Sequence, residues 1–182
     1  VNLKLSNIML TDKNEIKLLD TGLSLYKYNH SDPNYEIPLE QLRYFYPEQI
    51  KNSEPSKKNY LRSLGVILYQ IASGKLPFDG DSKESLSALI ISDSPDYNRL
   101  RERKVPGVYI LLIEKLLAKN PFDCFSKADE LLITLKEILS FDKKIGKIHK
   151  NKPEIKDSRP YLMVSILVAL LLVLWLVVTT YR

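Results

Sequence analysis

The side chains best suited to chemistry are few, and they gather toward one end of the chain. There is one cysteine, Cys124, and there are two histidines, His30 and His149. No intramolecular disulfide can form, and a zinc site closed by several cysteines is excluded. The two histidines stand far apart in sequence, which argues against a histidine-rich metal site. What remains near the N-terminus is a set of polar groups. Asn2, Lys4 and Asn7 lie in Asn2-Leu3-Lys4-Leu5-Ser6-Asn7-Ile8, and Asp20 lies in Asp20-Thr21-Gly22. Taken singly, Lys4 reads as a solvated lysine and Asn7 as a turn residue. Their order, and the elements between them, give them meaning.

Those elements read as strands first and helices afterwards. Ile8-Met9-Leu10 and Ile16-Lys17-Leu18-Leu19 are short β-prone runs joined by the turn-rich Thr11-Asp12-Lys13-Asn14-Glu15. The pair is expected to form a hairpin. Residues 23–47 read as irregular, with Pro33, Pro38, Pro47 and five tyrosines. From about residue 60 helices are expected. Leu61, Leu64, Val66, Ile67, Leu68, Ile71 and Ala72 make a run apolar on nearly every face, which predicts a helix buried on most sides, ended by Gly74 and Pro77. Leu112, Ile113, Leu116 and Leu117 repeat at helical spacing before Pro121. Ala128, Leu131, Leu132, Leu135, Ile138 and Leu139 form a third stripe. Ser126 is its expected N-cap, with Asp129 and Glu130 where the helix dipole favours acid.

With the elements in place, six motifs fall in a familiar order. Asn2-Leu3-Lys4-Leu5-Ser6-Asn7 resembles the D-L-K-P-x-N catalytic loop of protein kinases, and Asp20-Thr21-Gly22 resembles their D-F-G. Tyr46-Pro47-Glu48 resembles A-P-E. Ser63-Leu64-Gly65-Val66-Ile67-Leu68-Tyr69 resembles the central kinase helix, and Gly74-Lys75-Leu76-Pro77-Phe78 the G-x-x-P-F that follows it. Asn120-Pro121-Phe122-Asp123-Cys124 resembles D-P-x-x-R. The resemblance covers residues 1 to about 140. It is closest to membrane-anchored serine/threonine kinases of the bacterial, eukaryotic-like type.

The resemblance implies a fold that is mainly α with a small β-hairpin (α+β). It is a kinase-like C-lobe beginning at the catalytic loop, with the N-lobe elements outside these 182 residues. It implies ATP and Mg as cofactors. Asn7 and Asp20 would ligate Mg, Lys4 would bind near the transferred phosphoryl group, and Asn2 would stand at the position of the catalytic Asp. An amide there cannot accept the substrate hydroxyl proton as a carboxylate can. Further departures accumulate. Val1 replaces the catalytic-loop Arg, Thr21 the Phe, Tyr60 the Asp that anchors the loop, and Cys124 the Arg that pairs with the glutamate at Glu48. Gln41 stands near the usual Thr of the substrate-facing loop. Glu48 is therefore expected to be more exposed than usual or paired elsewhere. Residues 1–142 are expected to be an eroded, catalytically inactive kinase domain. The alternative is a membrane-tethered pseudokinase that binds a kinase or a protein substrate. Leu86, Leu89, Ile90 and Ile91 are either its docking surface or ordinary core. A remote alternative is an aspartic protease, because Leu18-Leu19-Asp20-Thr21-Gly22 also resembles D-T-G.

The charge pattern points to a membrane. Residues 1–142 carry 19 Lys+Arg against 20 Asp+Glu, a net of −1, whereas residues 143–159 carry 7 against 2. The overall net charge of +5 therefore belongs to a short basic linker, and no nucleic-acid partner is expected. Residues 160–181 contain no charge, and Leu162–Val178 includes 13 Leu, Ile or Val. At roughly 0.3–0.6 kcal/mol each, these residues favour insertion by roughly 4–8 kcal/mol. About 20 apolar residues span a bilayer core as a helix, so a single-pass transmembrane helix is expected at 160–181. The seven basic residues before it place the globular part in the cytoplasm by the positive-inside rule.

Overall fold

A computed structural model describes residues 3–13, 15–19, 37–52 and 59–149. The chain divides into two compact units, Val1–Met9 with Leu18–Ser126 and Leu10–Lys17 with Lys127–Arg182.

The hairpin forms as the sequence suggests. A 3₁₀ turn at Leu5–Asn7 leads into β1 (Ile8–Leu10), which pairs with β2 (Ile16–Leu18) in a two-stranded sheet. The loop is closed locally. The Thr11 N–H donates to the Glu15 carbonyl at 2.8 Å, and the Glu15 N–H donates to Thr11 Oγ1 at 3.1 Å.

Within the first unit, two short helices interrupt what the sequence presents as irregular chain. They are α1 (Leu39–Leu42) and α2 (Pro47–Asn52). Pro38 and Pro47 do not oppose them. Each stands at the helix start, where its missing N–H would find no intrahelical partner anyway. The central helix α3 (Asn59–Ser73) buries every residue from Leu61 to Tyr69. It packs mainly against α6 (Gly107–Leu116) and also meets α5 (Tyr97–Glu102). Gly65 makes the α3–α6 approach possible: a Cβ there would lie 2.8 Å from Leu116 Cβ. Gly74 takes the left-handed conformation (φ +76°) just past α3, and its N–H bonds the Gln70 carbonyl at 2.8 Å. Tyr69 ties α3 to the start of α5 by donating from its hydroxyl to the Asp96 carbonyl at 2.9 Å.

A second core cluster lies between α1, α2 and α4 (Lys83–Ser92). It contains Leu42, Phe45, Phe78, Leu86 and Ile90. Of the four α4 residues that read as either docking surface or core, Leu86 and Ile90 are fully buried in this cluster, while Leu89 and Ile91 are half-buried. Ser82 caps α4 through a reciprocal pair with Ser85, and Asp96 caps α5 by accepting from the Asn98 N–H at 3.2 Å.

In the second unit, α7 runs from Ala128 to His149. Its buried residues Ala128, Leu131, Leu135 and Ile138 follow the three-and-four spacing of the stripe. Ser126 lies two residues before its first residue, with Asp129 and Glu130 in the first turn. The helix continues past residue 142, so Lys143, Lys144 and Lys147 of the basic segment sit in its last turns. Among the described residues no helix is long and apolar enough to cross a membrane, and the span expected at 160–181 lies outside them.

Candidate functional site

The hairpin positions the polar groups near the N-terminus. Lys4 is extended and precedes the 3₁₀ turn, which the Asn7 N–H closes on the Lys4 carbonyl at 2.9 Å. Leu3 anchors this loop by burial. On the far side of the hairpin, the Leu19 N–H donates to the Asn7 carbonyl at 2.8 Å. Asn7 is thereby held beside the residue that immediately precedes Asp20 in sequence. Asn2 and Asp20 themselves lie outside the described residues.

Lys4 does not stand alone in water. Its Nζ donates to Glu40 Oε2 of α1 at 3.3 Å, with the lysine side chain 22% exposed and the glutamate 66%. An exposed pair of this kind contributes about 0–1 kcal/mol. It is strong enough to occupy the lysine and weak enough to be displaced by a better anion. Glu40 was not singled out by the sequence, because the contact spans 36 positions. Nearby, Arg43 Nη2 binds Asp79 Oδ1 at 2.7 Å, linking the end of α1 to the chain before α4.

The described residues bring no three His, Cys, Asp or Glu side chains together as a metal cluster. Mg prefers a few hard oxygen ligands and keeps several waters, so it does not demand such a cluster. Among the described residues, the Asn7 amide supplies an oxygen of that kind.

The Tyr46-Pro47-Glu48 segment is the other part of the site, and it is buried from several sides. Tyr46 opens α2: its N–H donates to Gln49 Oε1 at 3.2 Å, and its carbonyl accepts from the Gln49 and Ile50 N–H groups. The Tyr46 hydroxyl meets Cys124 Sγ at 2.9 Å. Burial, reinforced by the Cys124 sulfur beside it, pushes the Tyr46 hydroxyl well above the usual phenol range. Cys124 thus has a partner, and that partner is a tyrosine. Glu48 is half-buried and makes no ion pair among the described residues, so no buried Glu48–Arg pair forms.

A cation that sequence reading missed lies next to this segment. Arg62 of α3 is fully buried within the apolar run. Its guanidinium sits 5.4 Å from the Tyr46 ring and 5.5 Å from the Phe78 ring, and Nη1 donates to the Leu117 carbonyl at 3.3 Å. Burial above all lowers its pKa to about 10, while Tyr46 and Glu48 pull the other way. Lys119 approaches the same Phe78 ring at 4.0 Å and donates to the Leu89 and Ile90 carbonyls at the end of α4. Burial first, and the Arg62 charge second, lower the Lys119 pKa to about 8. Phe78 therefore carries two cations, each contributing about 0.5–2 kcal/mol through the ring face.

Comparison with known proteins agrees with the order of these motifs. The family model described as the protein kinase domain matches residues 1–135. The chain is 26% identical over 137 residues to the "Probable serine/threonine-protein kinase CPE1738" of Clostridium perfringens, covering 75% of this chain and 20% of that one. It is 26% identical over 143 residues to the serine/threonine-protein kinase PrkC of Bacillus subtilis, covering 78% and 22%. With PknB of Mycolicibacterium smegmatis the identity is 28% over 132 residues, covering 71% and 21%. The chain thus spans about a fifth of the length of these relatives.

Proposed function

The chain belongs to the protein kinase family, and from that premise we propose that it is the C-lobe portion of a membrane-anchored serine/threonine-kinase-like protein whose phosphoryl transfer is disabled. The observation that carries this reading is the amide of Asn2 at the base position of the loop, to which the Lys4–Glu40 ion pair adds a competitor for the phosphate. Phosphoryl transfer is mostly positioning and charge neutralisation. Here the lysine that would meet the phosphoryl group is taken by a carboxylate. The residue that would receive the substrate proton is an amide. Tyr60 and Cys124 remove two further polar anchors of the family pattern.

The surviving Asn7 and Asp20 keep oxygens suited to Mg. Bound Mg-ATP would bring the phosphoryl group and the metal charge that offsets it; Asn7 and Asp20 would hold the metal, and Lys4 the phosphates. The span at 160–181 would anchor the protein, and the basic residues before it would keep residues 1–159 in the cytoplasm. In that setting the module would act by binding a kinase or a protein substrate. Family membership sets aside the aspartic-protease reading of Asp20-Thr21-Gly22.

Binding of a fluorescent Mg-ATP analogue to the full chain tests the state of Lys4. Glu40→Gln is expected to strengthen binding about two- to fivefold, the worth of an exposed pair. Tight binding that Glu40→Gln leaves unchanged would place Lys4 outside the site and overturn the reading.

A further inference from the structure

Arg62 is a full charge in the middle of an apolar helix. It is fully buried, and its Nε and Nη2 find no hydrogen-bond partner among the described residues. A buried charge is retained only where its surroundings compensate it. The compensation here is specific. The Leu117 carbonyl takes Nη1 at 3.3 Å, and the faces of Tyr46 and Phe78 lie 5.4 and 5.5 Å from the guanidinium. Tyr46 and Glu48 belong to one segment, the opening of α2. That segment is held at a second point by Cys124, whose Sγ is 2.9 Å from the Tyr46 hydroxyl.

We propose that Arg62 is the positioning residue of the Tyr46-Pro47-Glu48 segment: from α3 it holds the Tyr46 ring against the Cys124 thiol. The role goes beyond the phosphoryl-transfer reading and does not depend on it. It requires a positive charge at 62, because an apolar side chain there would fill the space without the cation that faces the Tyr46 and Phe78 rings. Removing Arg62 should therefore loosen the cover over Cys124 before it unfolds the protein.

The chain carries one cysteine, so labelling by N-ethylmaleimide reads this cover at a single atom. The full chain is compared as Arg62→Leu, Arg62→Lys, Tyr46→Leu and Arg62→Leu/Tyr46→Leu. Leu100→Ala, a fully buried position on α5, serves as a control for global destabilisation. Urea unfolding gives each variant's global stability, and native-state labelling gives the local opening. Arg62→Leu is expected to label at least about tenfold faster than its global stability accounts for, a coupling of the size seen between contacting residues. Arg62→Lys should recover most of the protection. Tyr46→Leu should speed labelling when Arg62 is present and add little when it is absent. Labelling of Arg62→Leu no faster than Leu100→Ala at matched stability would overturn the proposal, as would Arg62 and Tyr46 effects that simply multiply. Should Arg62→Leu fail to fold, Arg62→Met against Leu100→Ala decides: faster labelling at matched stability supports the role, and equal labelling overturns it.

Discussion

Three residues that carry the site's electrostatics act across long sequence separations. Glu40 takes Lys4, Arg62 faces Tyr46 and Phe78, and Lys119 closes the end of α4 beneath Phe78. None has a local signature, since a charged residue inside an apolar run reads as an exposed face until the fold shows otherwise. Lys119 leads to a pH prediction. Its ordinary pKa of 10.5 falls to about 8 in the fold, so the folded state loses this proton before the unfolded state does. Between pH 8 and 10.5 the unfolded chain binds more protons at this position, and stability rises with pH across that window. Tyr46 and Tyr97, both pushed above the usual phenol range by burial, oppose the rise once pH passes their ordinary value of 10.0. Urea unfolding at stepped pH is expected to show the midpoint climbing between pH 8 and 10 and the climb vanishing in Lys119→Gln. A flat wild-type profile would mean that Lys119 titrates normally in the fold.

At the scale of elements, stability rests on the close crossing of α3 and α6. Gly65 faces both Leu116 Cβ, at 2.8 Å, and Leu117 Cδ2, at 3.0 Å, from a methyl group placed on it. Gly65→Ala is expected to cost about 1–3 kcal/mol by overpacking, despite the better helix propensity of alanine. Thermal unfolding would measure it, and an unchanged or raised Tm would show that the two helices can move apart freely. The hairpin, α3, α6 and α7 were legible in advance because their apolar residues report them. The hairpin shows as two β-prone runs around a turn, α3 as a run apolar on nearly every face, and α6 and α7 as stripes at helical spacing. The helices α1 and α2 were not legible, because four and six residues are too few for a period to emerge. Their prolines read as breakers, although both stand where a helix start tolerates them. For α4, the sequence left core and docking surface open. Packing puts Leu86 and Ile90 in the core, because they meet Leu42, Phe45 and Phe78 from distant parts of the chain.

For the whole molecule, the kinase family follows from six ordered motifs and from the match over residues 1–135. The sequence pointed to the hairpin that follows Lys4 and Asn7, and the structure forms it. It could not show that Lys4 is held by Glu40, or that Cys124 is covered by Tyr46 rather than left open. The proposed anchor makes its own prediction. The full chain should sediment with membranes and resist extraction by high salt, while a chain ending at Arg159 should remain soluble. Full release of the intact chain by salt alone would contradict a spanning helix. The proposed loss of transfer chemistry at this kinase-family site is tested most directly by phosphoryl transfer from Mg-ATP. The assay is best made on the protein isolated from its own membranes, in wild-type and Asp20→Ala forms. No incorporation into protein is expected from either form. Mg-dependent incorporation by the wild type that Asp20→Ala abolishes would contradict it, and would require another group to do the work that Asn2 cannot.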